Sequence, residues 1–227
     1  MLRYVFVVVL AVGVLGEYQV TEEHKQQVKN AIEEVCKKAN AEDKATEVQN
    51  AINAFSDCLK GLFNVDQIKA EIEEAKPNGA LDEVFKKYCA KSSQLKTCIN
   101  TAITGVTPCV PTEYRVHLPA ATNTTDQLID FVCYKDGDRI ALFIAEKGPE
   151  CFTEKLNDMK ACAETLKDSV GSVEAAKALS TEEKCKKLDA LSACVVTKLE
   201  ACENPTPANM VESLYKFIKK ASPCNTK

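Results

Sequence analysis

The sequence predicts an all-α protein, a disulfide-crosslinked bundle or array of helices with two weakly similar halves. Three observations lead to that class. Apolar residues recur three and four positions apart through most of the 227-residue chain, and twelve cysteines sit among those stripes. The one run that reads as a strand, Arg139 to Ala145, has no second strand to pair with. Asp136-Gly137-Asp138 before it offers a helix start, so the run is read as a buried helix.

The chain opens MLRYVFVVVLAVGVLG. Arg3 supplies a short positive region, Val5 to Leu15 is apolar apart from Gly13, and Val14 and Gly16 suit the positions before a signal peptidase cut. This is the pattern of a secretory signal peptide, too short for a bilayer span, and cleavage after Gly16 leaves a mature domain of residues 17–227. No later segment approaches 18 consecutive apolar residues, and the terminal ASPCNTK is not a retention signal. The expectation is an exported protein without stable membrane insertion.

Successive helices follow from the stripes. Val28, Ile32 and Val35 mark residues 24–39; Val48, Ile52, Phe55 and Leu59 mark 44–60, with Lys60-Gly61 as a helix stop. Asp66 can cap a third helix facing Ile68, Ile72 and Ala75 inward, and Pro77-Asn78-Gly79 ends it. Leu81, Val84, Phe85 and Tyr88 form the next stripe. Ser92-Ser93 loosens the chain before Leu95, Ile99, Ile103 and Val106.

Residues 107–125 hold three prolines and few periodic apolar positions. They read as a crossover, with 110–125 joining halves 17–109 and 126–227. Asn123-Thr124-Thr125 is a glycosylation acceptor in this loop-like stretch. Helical character returns with Leu128, Ile129 and Val132. After Gly148-Pro149, the residues Phe152, Leu156, Met159, Cys162 and Leu166 line one face. Ser180-Thr181-Glu182-Glu183 forms a capping box ahead of Leu188, Leu191, Val195 and Leu199. Thr206-Pro207 opens a last helix carrying Met210, Leu214, Phe217, Ile218 and Ala221. The likeness of the halves rests on an amphipathic helix that runs into a cysteine in each, at Cys89 and at Cys224.

All twelve cysteines, Cys36, Cys58, Cys89, Cys98, Cys109, Cys133, Cys151, Cys162, Cys185, Cys194, Cys202 and Cys224, lie outside the signal peptide. An even count in an exported chain predicts six disulfides, with roughly ten thousand formal pairings. Cys185 and Cys194 are nine residues apart, about half a turn out of phase on one helix, so each is expected to clamp a different neighbour. Cys89 and Cys98 share that spacing, but Ser92-Ser93 permits a turn and hence a local bond.

Several function classes find no support. The 29 basic and 33 acidic residues are interspersed, without the basic footprint of a nucleic-acid binder. Trp is absent, and aromatic residues at 6% argue against an aromatic-lined groove while leaving room for a small aliphatic pocket. There is no C-x2-C pair, and His24 and His117 stand outside any cysteine cluster, so neither zinc nor thiol–disulfide catalysis is indicated. No nucleophile elbow or H-E-x-x-H helix occurs. Glu33-Glu34, Glu73-Glu74 and Glu182-Glu183 sit among lysines as a solvated face, and YKDGD, residues 134–138, lacks the oxygen ladder of a calcium loop. No enzyme and no cofactor is expected.

Three segments carry a further likeness: EIEEAKPNGALDEVFKKYC at 71–89, FVCYKDGDRIALFIAEKGPECF at 131–152 and SLYKFIKKASPC at 213–224. With the twelve-cysteine layout they make the mature chain resemble the insect 27 kDa hemolymph glycoprotein family over nearly its whole length. The resemblance implies an exported hemolymph glycoprotein and adds no catalytic residue. Two functions then compete. In one, amphipathic helices enclose a lipid or other small hydrophobic ligand, with Phe55, Phe85, Ile103, Leu142, Phe143 and Phe217 as candidate contacts, although close packing is the commoner fate of such residues. In the other, an extracellular protein partner is recognised, as in an interaction or defence-associated protein.

Overall fold

The protein is described by a computed structural model covering residues 22–220 and 222–224. The predicted signal peptide, residues 1–16, lies outside the described residues. Thirteen α-helices and no strand occur among the described residues: α1 (Glu22–Lys38), α2 (Ala45–Leu62), α3 (Val65–Ala75), α4 (Leu81–Cys89), α5 (Ser92–Val106), α6 (Thr112–Arg115), α7 (Leu118–Val132), α8 (Asp138–Ala145), α9 (Gly148–Glu154), α10 (Leu156–Val170), α11 (Val173–Ala178), α12 (Thr181–Leu199) and α13 (Thr206–Lys220). The all-α, disulfide-crosslinked class read from the sequence is the class observed.

Local signals explain most boundaries and correct others. Gly79 takes a left-handed conformation, φ 65°, after the short turn Lys76–Asn78. The cap of α3 is Asn64, whose Oδ1 accepts from the Gln67 amide at 3.0 Å, so the expected role of Asp66 passes to a residue two positions earlier. Lys60-Gly61 does not stop α2, which runs to Leu62; the Lys91 Nζ donates to the Leu62 carbonyl at 2.5 Å and satisfies that end. Ser92-Ser93 begins α5 instead of loosening the chain. The capping box at Ser180 and Glu183 is present in both directions. Residues 139–145 are helical, as α8, but only Ala141 in that helix is buried and Leu142 is exposed.

The largest departure is the stretch read as a crossover. Thr112–Arg115 and Leu118–Val132 are helical, with Pro119 in the first turn of α7, where its missing amide hydrogen costs no helical bond. The three prolines of 107–125 therefore sit near helix starts and in the turn Thr107–Cys109, and they do not exclude helix.

The chain forms two compact units. One is built from the chain up to Glu74 together with Ala90–Thr125, the other from Ala75–Cys89 together with Asp126 onward. In the first unit, α2 and α5 pair antiparallel. Cys58 bonds Cys98, and two turns further along Gly105 lies against Ala51, where a β-carbon on residue 105 would collide with the Ala51 side chain. Cys36 bonds Cys109 and holds α1 to the turn after α5, in a core shared with Ile32 and Val48.

The second unit repeats the device. Cys162 bonds Cys194 between α10 and α12, and seven residues on the Lys187 Nζ donates to the Ser169 carbonyl at 2.9 Å. Cys151 bonds Cys202 around a core of Leu199 and Ala208, flanked by Phe152, Met159, Val195, Val196 and Val211. Cys185 bonds Cys224 and fastens the end of α13, while Cys89 bonds Cys133 between the ends of α4 and α7. Cys185 and Cys194 thus reach different neighbours, the turn after α13 and helix α10, and the local Cys89–Cys98 bond that a turn would have allowed is not formed.

Leu199 is 0% exposed at the centre of this second core. Leu199→Ala is expected to lower the unfolding free energy of the oxidised protein by about 2–5 kcal/mol, whereas Leu188→Ala, at a position 44% exposed, should change it by less than about 0.5 kcal/mol. Urea unfolding without reductant checks both.

Candidate functional site

The most specialised local structure among the described residues is the turn between α7 and α8. Lys135, Asp136 and Gly137 are consecutive and all left-handed, at φ 48°, 60° and 99°. For the two non-glycine residues this conformation costs about 1–3 kcal/mol each, so surrounding contacts must enforce it. Gly137 is buried against α4. A β-carbon there would lie 2.7 Å from Phe85 Cβ and 3.4 Å from Cys89 Sγ, so glycine is needed for both dihedral and contact. The Cys89–Cys133 bridge pins the chain just before the turn.

Arg139 pins it just after. Its guanidinium lies 4.0 Å from the centre of the Phe131 ring and 4.2 Å from that of Tyr134, and its Nη1 donates to the Phe131 carbonyl at 3.0 Å. Phe131 is itself 2% exposed and tilts against Phe217, with ring centres 5.4 Å apart. Between these anchors the turn presents Tyr134, Lys135, Asp136 and Asp138 to solvent, beside exposed Val132. Lys86 and Asp136 approach to 3.7 Å, but both are largely exposed and the pair adds little. The polar side chains at this turn are all open to solvent.

A second polar cluster joins α12 to α13. The Asp189 carboxylate accepts from the Tyr215 hydroxyl and from Lys219 Nζ, the latter at 2.7 Å. The Lys219 bond, then the Tyr215 bond, hold the Asp189 carboxyl below the usual aspartate range. Burial, then the bond to Asp189, push the Tyr215 phenol up to about 12. Tyr215 and Lys219 are one helical turn apart, so the cluster reads as a helix clamp.

The six candidate ligand contacts are divided between the two units. Phe55 and Ile103 lie half-buried in the first unit, while the other four belong to the second. Phe85 is buried behind Gly137, Phe217 packs on Phe131, and Phe143 meets Phe152 edge-on at 5.0 Å between centres. Leu142 is 54% exposed. Two depressions of about 560 and 530 Å³ occur in the first unit, both open to solvent. Their walls include Asn40, Lys44 and Arg115 in one, and Thr97, Asn100 and Thr101 in the other, with none of the six.

The remaining sequence candidates have plain structural places. Asn123 is exposed on α7 and not in a loop, a correction that follows from the helicity of 118–132. His117 is exposed between α6 and α7, and the side chain of His24 lies outside the described residues. Glu33, Glu34 and Glu182 pair with lysines a turn away, and Glu183 serves the capping box. Among the described residues no group of His, Cys, Asp and Glu side chains could hold a metal ion, and no helix is long and apolar enough to cross a membrane. The left-handed turn was missed; Asp136-Gly137 was its only local signal, and it served equally well as a helix start.

A disulfide-braced helical scaffold with an exposed left-handed turn is the class these features define. The chain belongs to the insect 27 kDa hemolymph glycoprotein family: the family described as "Protein of unknown function (DUF1397)" matches residues 22–224. It is 57% identical over 228 residues to a 27 kDa hemolymph protein of Galleria mellonella, covering 99% of this chain and 97% of that one. It is 54% identical to a 27 kDa glycoprotein of Bombyx mori, over 100% and 97% of the two chains. A 27 kDa hemolymph glycoprotein of Manduca sexta is also 54% identical, over 98% and 96%. No solved structure matches. The protein is therefore a secreted, extracellular hemolymph protein.

The clamp makes a pH prediction. The raised phenol of Tyr215 contributes stability that is complete below the ordinary tyrosine value of 10.0 and is lost as pH rises toward about 12. The depressed carboxyl of Asp189 contributes stability present above the ordinary aspartate range and lost as pH falls through its lowered value. Asp189→Asn should bring the Tyr215 titration, read by phenolate absorbance, back toward 10.0, and it should flatten the acid limb of a melting-temperature profile.

Proposed function

We propose that this hemolymph protein is an interaction protein that presents side chains to an extracellular protein partner, and not a carrier that encloses a hydrophobic ligand. The observation that carries this reading is the turn at Tyr134–Asp138, where strained backbone is held by a disulfide, a buried glycine and a sandwiched arginine. Order imposed at such expense on solvent-facing residues suits a preformed contact surface, since a rigid epitope loses little freedom on binding. The carrier reading has weaker support, because Phe143 packs on Phe152 and Phe217 on Phe131. We also read Asn123, exposed on α7, as the N-glycosylated residue.

Native protein should release no stoichiometric fatty acid or sterol on solvent extraction and mass spectrometry; a bound lipid would favour carriage. Binding of labelled protein to its hemolymph partner should weaken by about tenfold in Asp136→Asn, which tolerates the left-handed backbone and loses only the exposed Lys86 pair, with the melting temperature retained. Peptide N-glycosidase should increase the mobility of the secreted protein, and Asn123→Gln should abolish that shift while leaving stability within about 0.5 kcal/mol.

A further inference from the structure

The six bridges close loops 36–109, 58–98, 89–133, 151–202, 162–194 and 185–224. The first three overlap and cover the chain from Cys36 to Cys133. The last three overlap and cover it from Cys151 to Cys224. A single backbone break inside either block leaves one covalent molecule. Between the first and last cysteines, only residues 134–150 belong to no disulfide loop.

Within that span two lysines stand at helix junctions in left-handed conformation. Lys135 is in the turn before α8, and Lys147, φ 55°, precedes α9. Both are exposed. Lys147 is ion-paired to Glu203 at 3.0 Å, but with both side chains more than 60% exposed the pair is weak. Arg139, the only arginine in the span, is sandwiched between two rings and unavailable. Opening either junction relieves strained backbone, which lowers the cost of the local unfolding that a protease needs.

We propose that residues 134–150 form a processing segment for a trypsin-class endopeptidase, read at Lys135 and Lys147. Hydrolysis at Lys135 breaks the Lys135–Asp136 peptide bond: water supplies hydroxyl to the lysine carbonyl and hydrogen to the aspartate nitrogen. Because no bridge spans the cut, no covalent bond joins the two products, which part on denaturing electrophoresis with three disulfides each. This inference stands whether or not a partner binds the turn.

The test is limited trypsin digestion of the oxidised secreted protein, followed by electrophoresis without reductant and mass spectrometry of the fragments. Two bands should appear without reductant, their new ends mapping to Lys135 or Lys147. Lys135→Gln/Lys147→Gln, two surface changes whose unaltered melting temperature would confirm folding, should slow the split by more than about tenfold. Early fragments that separate only after reduction would place the first cuts inside the bridged blocks and overturn the proposal. So would a split that proceeds at the original rate in the double variant.

Discussion

Sulfur–sulfur bonds stand where a larger hydrophobic core would otherwise be. Among the described residues fifteen apolar side chains are buried and six of them are cysteines, with Cys36 among the largest fully buried side chains. The apolar stripes are narrow and the clusters they build are small, with Ile32 and Val48 at one centre and Leu199 and Ala208 at another. Each bridge closes a loop of 32 to 73 residues, worth about 4 kcal/mol of chain entropy if taken alone. Nested loops do not add in full, yet several such terms rival the whole net stability of an ordinary domain. Oxidation is thus the condition under which these amphipathic helices fold.

Most other contacts refine what the bridges establish. Lys38 with Glu34, Lys186 with Glu182 and Lys216 with Glu212 are exposed pairs one turn apart and support single helices only slightly. More consequential are the second contacts that set register. Ala51 against Gly105 and Lys187 on Ser169 each lie two turns from a disulfide, so each helix pair is fixed at two points and cannot slide or pivot about one bond.

Much of this was legible in residue order. Three- and four-residue spacing located most helices, and the half-turn phase of Cys185 and Cys194 foretold that they would part. The differences arise where a local rule depends on position. Proline breaks a helix interior, but at the helix starts within 107–125 it removes no needed hydrogen bond. A serine pair can loosen a chain, but Ser92-Ser93 begins a helix. Disulfide partners and the Arg139 sandwich were beyond reach because they depend on approach between residues far apart or on rotamers around a strained turn. Nothing in the spacing of the aromatic residues could say that Phe143 would meet Phe152 and Phe217 would meet Phe131.

The helicity of α7 has a bearing on how the molecule is made. In the finished fold the Thr124 and Thr125 hydroxyls donate to the Ala120 and Ala121 carbonyls, and Asn123 is wound between them. Under the glycosylation proposed for Asn123, sugar attachment therefore competes with this winding in the nascent chain, and occupancy becomes a clock reading from biosynthesis, set by whichever event comes first.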